Sequence, residues 1–145
     1  MRRVALDTSV VVAASLAAHD RHEPARVTVE TALAGDGGAI LPVPVVFEAY
    51  AVLTRLPPRW RLRADAAERA LRETYAQRAT LIGLHDAGDA WQLVGDLARE
   101  GLVGGIAHDA HVVACARAGG ATALATLNRR DFARLDLGGM TLIVP

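Results

Sequence analysis

Apolar residues along this chain come in short runs separated by longer stretches of mixed character. Val4-Ala5-Leu6 stops at Asp7, Ala39-Ile40-Leu41 at Pro42, and Thr122-Ala123-Leu124-Ala125-Thr126-Leu127 at Asn128. Thr80-Leu81-Ile82-Gly83-Leu84 and Met140-Thr141-Leu142-Ile143-Val144 have the same look. Continuous runs of this length, bounded by polar or turn residues, are the pattern of strands buried on both faces of a parallel sheet. Between them, helical spacing predicts helices over about residues 10–18, 23–34, 44–53, 65–76, 87–100 and 106–116. The fourth faces the surface, with Glu68, Arg69, Arg72 and Glu73 on it. In the fifth, Trp91, Leu93, Val94 and Leu97 fall at core spacing, which assigns Trp91 to packing. Gly101 to Gly105 form a flexible break. Strands alternating with helices predict a three-layer α/β/α arrangement with a mostly parallel central sheet, one domain over residues 1–145.

Composition narrows the chemistry. An apolar fraction of 52% with 22% charged residues belongs to a folded chain rather than a disordered one. Formal net charge is zero, so any hold on phosphate must come from a local patch or from metal ions. All 16 basic side chains are Arg. Without a Lys there is no Walker phosphate loop, and a phospho-accepting receiver domain is disfavoured. Ser9, where an Asp-nucleophile phosphatase would carry its second acid, disfavours that class too. Cys115, alone in an apolar run, reads as a small buried hydrophobe. No apolar segment reaches membrane-spanning length and the N-terminus has no signal-peptide pattern, so the expected location is cytoplasmic, with no membrane contact.

Four carboxylates stand out by their surroundings. Asp7 closes the first strand; in open α/β sheets that end faces the ligand crevice, although Asp is also a preferred helix N-cap. Glu48 flanks the apolar stripe of its helix, where it needs a partner, and Arg55 on the same side offers an ordinary ion pair. Asp109 has Ile106, Val112 and Val113 at helical spacing, which leaves its charge among hydrocarbon; the helix N-terminus compensates by only about 0.3–1 kcal/mol. Asp131 follows the Thr122 to Leu127 run, and with Asn128 it imitates a capping box. His108 and His111 point away from the Asp109 side, and His19 and His22 fall on a polar turn. The segment from Arg55 to Arg63 interleaves Arg with Trp60; such a segment can hold phosphates and stack on an unpaired base, or it is a solvated loop with one anchoring Trp. Carboxylates brought together from four separate segments suit a hard divalent cation such as Mg²⁺, which keeps water positions for a substrate phosphate.

In these pieces the chain resembles the PIN-domain ribonucleases and, within them, the VapC toxins of bacterial toxin–antitoxin pairs. The matching segments are Val4-Ala5-Leu6-Asp7-Thr8-Ser9, Phe47-Glu48-Ala49 with Leu53-Thr54-Arg55-Leu56-Pro57, Asp109-Ala110-His111-Val112-Val113-Ala114, and Ala125-Thr126-Leu127-Asn128-Arg129-Arg130-Asp131-Phe132. They span almost the whole chain in the family's order. The resemblance implies an acidic catalytic and metal site of Asp7, Glu48, Asp109 and Asp131, with Ser9, Thr126 and Asn128 as polar support. It further implies Mg²⁺- or Mn²⁺-dependent cleavage of RNA, a homodimer, and a cognate VapB-type antitoxin that blocks the site. His111 stands where such proteins more often carry an aliphatic residue. Arg59, Arg61, Arg129 and Arg130 are candidate phosphate contacts. A catalytically silent RNA- or partner-binding module on the same fold is the alternative, and a metal nuclease acting on DNA a further one.

Overall fold

The computed structural model describes all 145 residues. In chain order the elements are β1 (Val4–Leu6), α1 (Thr8–Ser15), α2 (His22–Ala34), β2 (Ala39–Pro42), α3 (Val43–Arg55), α4 (Ala64–Tyr75), β3 (Ala79–Ile82), α5 (Gly88–Glu100), α6 (Ile106–Ala118), β4 (Ala123–Ala125), α7 (Arg129–Phe132) and β5 (Thr141–Ile143). Every strand pairing is parallel, and the order across the sheet is β3-β2-β1-β4-β5. β1 is therefore the central strand. Its three residues are buried, as expected of apolar positions with helices on both faces.

Alternation along β2 shows the two covered faces. Leu41 points with Leu81 of β3 toward Val11 of α1 and Leu71 and Tyr75 of α4. Ile40 points the other way, to the end of α6, where a Cβ on Gly119 would lie 2.6 Å from the Ile40 Cδ1 atom. That closeness is why Gly suits the position: the helix end can settle on the sheet. The shared core includes Leu6, Val10, Ile40, Val45, Leu53, Leu124 and Phe132, each fully or almost fully buried.

Three expectations need correction. The third strand lies at Ala79–Ile82 rather than 80–84, and as the sheet edge it is not buried: Leu81 is 57% exposed. α4 faces solvent on one side only, because Ala67, Leu71 and Tyr75, spaced four apart, are buried. Trp91 is not core; it is 80% exposed, and Val94 is exposed beside it. α5 turns Leu97 inward, and Trp91 lies on another side of the same helix. Cys115 is buried as expected, which pushes its thiol pKa up to about 11.

Candidate functional site

The chain runs from β1 outward through β2 and β3, then returns to the opposite side of β1 with β4. This reversal opens a crevice between the carboxyl ends of β1 and β4, the place where open α/β sheets bind ligands. Leu6 is paired with Ala125, so the residues that follow, Asp7 and Thr126, come side by side from positions 119 apart in sequence.

Asp7 is 5% exposed and its carboxyl is held by hydroxyls. Thr126 and Ser9 each donate to Asp7 Oδ2, both at 2.8 Å. Those hydroxyls are themselves oriented, because the Leu127 N–H donates to Ser9 Oγ and the Asn128 N–H to Thr126 Oγ1, each at 2.9 Å. With backbone donors on their lone pairs, the hydroxyls aim their protons at the carboxylate. The Asp7 backbone carbonyl starts α1, accepting from Val10 and Val11, but its side chain makes no cap bond. Burial raises the Asp7 pKa, opposed by the Thr126 and Ser9 hydrogen bonds.

Glu48 lies on the exposed side of α3, and its partner is not Arg55. Thr8, the first residue of α1, donates its hydroxyl to Glu48 Oε2 at 3.0 Å and ties the two helices together at the crevice. Thr8 was not among the sequence candidates; its one signal was a hydroxyl next to Asp7 at a helix start. Asn128 and Asp131 do not form a capping box. The Asn128 side-chain amide donates to Asp131 Oδ2 at 2.7 Å and holds that carboxylate in place. Asp109 sits half-buried on the first turn of α6, next to the buried Ile106, Val112 and Val113, and accepts no hydrogen bond. Its pKa is pushed up to about 6, first by burial and then by the negative charges of Asp7, Asp131 and Glu48; His108 acts against them.

Asp109 thus reports that the four acidic groups share one electrostatic neighbourhood. No three acidic, His or Cys side chains converge to metal-holding geometry in this structure. The donor set is nonetheless all carboxylate oxygen, with like charges uncompensated by any Arg, and that fits a hard divalent cation. Arg129 and Arg130 stand exposed on α7 beside Asp131, without ion pairs. Arg59 and Arg61 lie on the α3–α4 connection: Arg59 stacks on Trp60 and the Arg61 Nε donates to the Leu56 carbonyl. His22, the first residue of α2, is tied to the end of α1 by its Nδ1, which lies 2.9 Å from the Ala13 carbonyl oxygen.

Comparison with curated protein sequences gives no match. Among solved structures, the chain is similar to VapC20 of Mycobacterium tuberculosis, described as a sarcin-ricin loop cleaving toxin. The TM-score is 0.70 at 20% identity, over 90% of this chain and 94% of that one. It is also similar to VapBC2 from Rickettsia felis bound to a promoter DNA fragment, with a TM-score of 0.69, 18% identity, and 99% and 98% of the two chains covered. FitAcB from Neisseria gonorrhoeae follows at 0.63 and 16%, covering 97% and 96%. At these identities the likeness establishes the fold. A sequence model of the PIN domain matches residues 4–137, from the first residue of β1 to beyond Asp131, so the acidic crevice and the sheet that builds it are those of a chain that belongs to the PIN domain family.

Proposed function

We propose that this chain is a divalent-metal-dependent endoribonuclease toxin of the VapC type, one domain over residues 1–145, acting in the cytoplasm and neutralised by a cognate VapB-type antitoxin. The observation that carries the reading is that the chain, matched by the PIN-domain model over residues 4–137, brings Asp7, Glu48, Asp109 and Asp131 into one electrostatic neighbourhood at the crevice between β1 and β4. Perturbed acidic groups gathered at a topological switch point mark a site rather than a surface.

Asp7, Glu48, Asp109 and Asp131 are the residues that would hold Mg²⁺ or Mn²⁺. Bound there, such an ion would supply positive charge for a phosphodiester to approach and would activate water for attack. The protein's own part is orientation. Ser9 and Thr126 fix Asp7, Asn128 fixes Asp131, and Thr8 fixes Glu48. Arg129 and Arg130 are proposed phosphate contacts, their side chains free of competing carboxylates.

The antitoxin partner is supported by solved relatives that are VapBC and FitAB assemblies. A homodimer belongs to the same reading, and the particle mass in solution tests it. The competing reading is a catalytically silent RNA- or partner-binding module, favoured by the failure of any three acidic side chains to converge. Purified protein given RNA or DNA, with Mn²⁺ or Mg²⁺ and with or without chelator, decides between them. Chelator-sensitive cleavage of RNA that disappears in Asp7→Ala and Asp109→Ala supports the nuclease. Cleavage retained by both folded variants rejects the assigned site, and no cleavage by the native chain favours the silent module.

A further inference from the structure

We infer that a cavity at the far end of the α1–α3 seam is a subsite for one unpaired nucleobase of the substrate RNA, stacked on Trp60; the inference rests on the nuclease reading above. The cavity measures about 480 Å³, within the usual small-molecule range of about 300–1,000 Å³. One wall is the α3–α4 connection with Leu56, Arg59 and Trp60. The other is the turn after α1 with Leu16, His19 and Asp20.

Its position relates it to the crevice. Thr8 and Glu48 are joined at the start of the seam, and α1 and α3 both run from there toward the cavity, ending at Ser15 and Arg55. Seven residues of helix rise about 10 Å. A few linked nucleotides cover that span, so a strand cut at the acidic site reaches the cavity with a neighbouring base.

The lining favours a base over a phosphate or a purely apolar ligand. Trp60 is 44% exposed, in a chain with only 4% aromatic residues. Its indole is steadied by the Arg59 guanidinium, 4.7 Å from the ring centroid. The loop presenting it is fixed: the Trp60 and Arg61 N–H groups donate to the Pro57 carbonyl at 2.9 and 3.0 Å, and the Leu62 N–H to the Leu53 carbonyl at 3.0 Å. An aromatic held rigid and half in water has its ordering cost met before any ligand arrives. Opposite it, the His19 ring is held by the Arg21 N–H, which donates to Nδ1 at 3.0 Å. Asp20 discourages an anion inside, whereas Arg59, which pairs with no carboxylate, is available to a backbone phosphate at the mouth. Arg59 covers one face of the indole, and stacking on an exposed aromatic face is how single-stranded bases are held.

The test is a titration in chelator with a fluorescein-labelled unstructured oligoribonucleotide and with copies carrying one abasic position each; affinity is read from the label's anisotropy for every variant, and quenching is read in Trp91→Phe protein, where Trp60 alone reports. The expected result is quenching of Trp60 fluorescence, affinity lowered about 5- to 150-fold by Trp60→Leu, and a comparable loss from an abasic residue at one position only. Trp60→Phe keeps most of the affinity, and in the cleaving protein Trp60→Leu raises KM rather than lowering kcat. Thermal unfolding of both variants confirms that they fold. Undiminished affinity in folded Trp60→Leu, or indifference to every abasic position, overturns the subsite even where metal-dependent cleavage stands. Trp60-dependent binding without any cleavage leaves the base site intact and removes the nuclease reading instead.

Discussion

Asp7 and Asp109 face the same crevice with carboxyl groups whose pKa values are both raised by burial, yet they are built in opposite ways. Asp7 is nearly inaccessible and is met by two hydroxyls whose own lone pairs are taken by backbone N–H groups. Asp109 is more open, accepts no hydrogen bond, and is shifted first by burial and then by the negative charge of its neighbours. The first is a group whose position the fold has fixed. The second is a group whose charge the fold has left uncompensated. On the proposed reading the two divide the work: Asp7 is the anchored ligand that sets geometry, and Asp109 the unsatisfied one that favours the entry of positive charge.

The contrast can be broken in order of expected effect. For cleavage the two are equivalent: Asp7→Ala and Asp109→Ala each lower the rate by at least about 10³-fold in a metal-supported RNA assay. For stability they part. Asp7→Ala leaves the buried Thr126 hydroxyl and the half-buried Ser9 hydroxyl without their acceptor and costs about 1–3 kcal/mol in denaturant unfolding. Asp109→Ala, which relieves repulsion, leaves the midpoint unchanged or raises it. Equal destabilisation by the two would erase the distinction.

A smaller effect appears with pH. Asp109 titrates near 6 in the folded chain against an ordinary 3.8, so between those values the native state holds more protons than the unfolded one. The associated stability is present below about pH 4 and is lost as the pH rises through 6. In chelator, Tm falls over that window; Asp109→Asn flattens the fall without abolishing it, because Asp7 shifts in the same direction. An unchanged slope would show that folding does not raise the Asp109 pKa. At the small end, Trp91→Ser on the outer side of α5 changes stability by less than about 0.5 kcal/mol, as its exposure requires, and a larger loss in the monomeric chain would restore it to the core.

Local patterns made much of this legible in the sequence. Val4 to Leu6, Ala39 to Leu41 and Ala123 to Ala125 declare themselves as doubly covered strands because burial on two faces leaves no polar alternation. The hydrocarbon around Asp109 is readable for the same reason, since helical spacing fixes neighbours three and four residues away. What escaped depends on long-range partners or on a choice between similar faces. Nothing near Glu48 announces that Thr8 rather than Arg55 will meet it, and nothing near Asp7 identifies a hydroxyl from position 126. α5 carries apolar residues on more than one side, so periodicity could not choose Leu97 over Trp91 as the inward residue. The resemblance named the acidic set and its polar support, while the partners that orient each carboxylate became visible only through the sheet order.

The pairing of β1 with β4 also bears on when the crevice can form during synthesis of the chain. A nascent product that has cleared the ribosome as far as β3 already carries Asp7 and Glu48, but the strand that forms the other lip has not yet emerged. The order of synthesis thus sets the order of assembly: the cleft can close only after the segment through Asp131 is released, and until then Asp7 and Glu48 have no opposite lip.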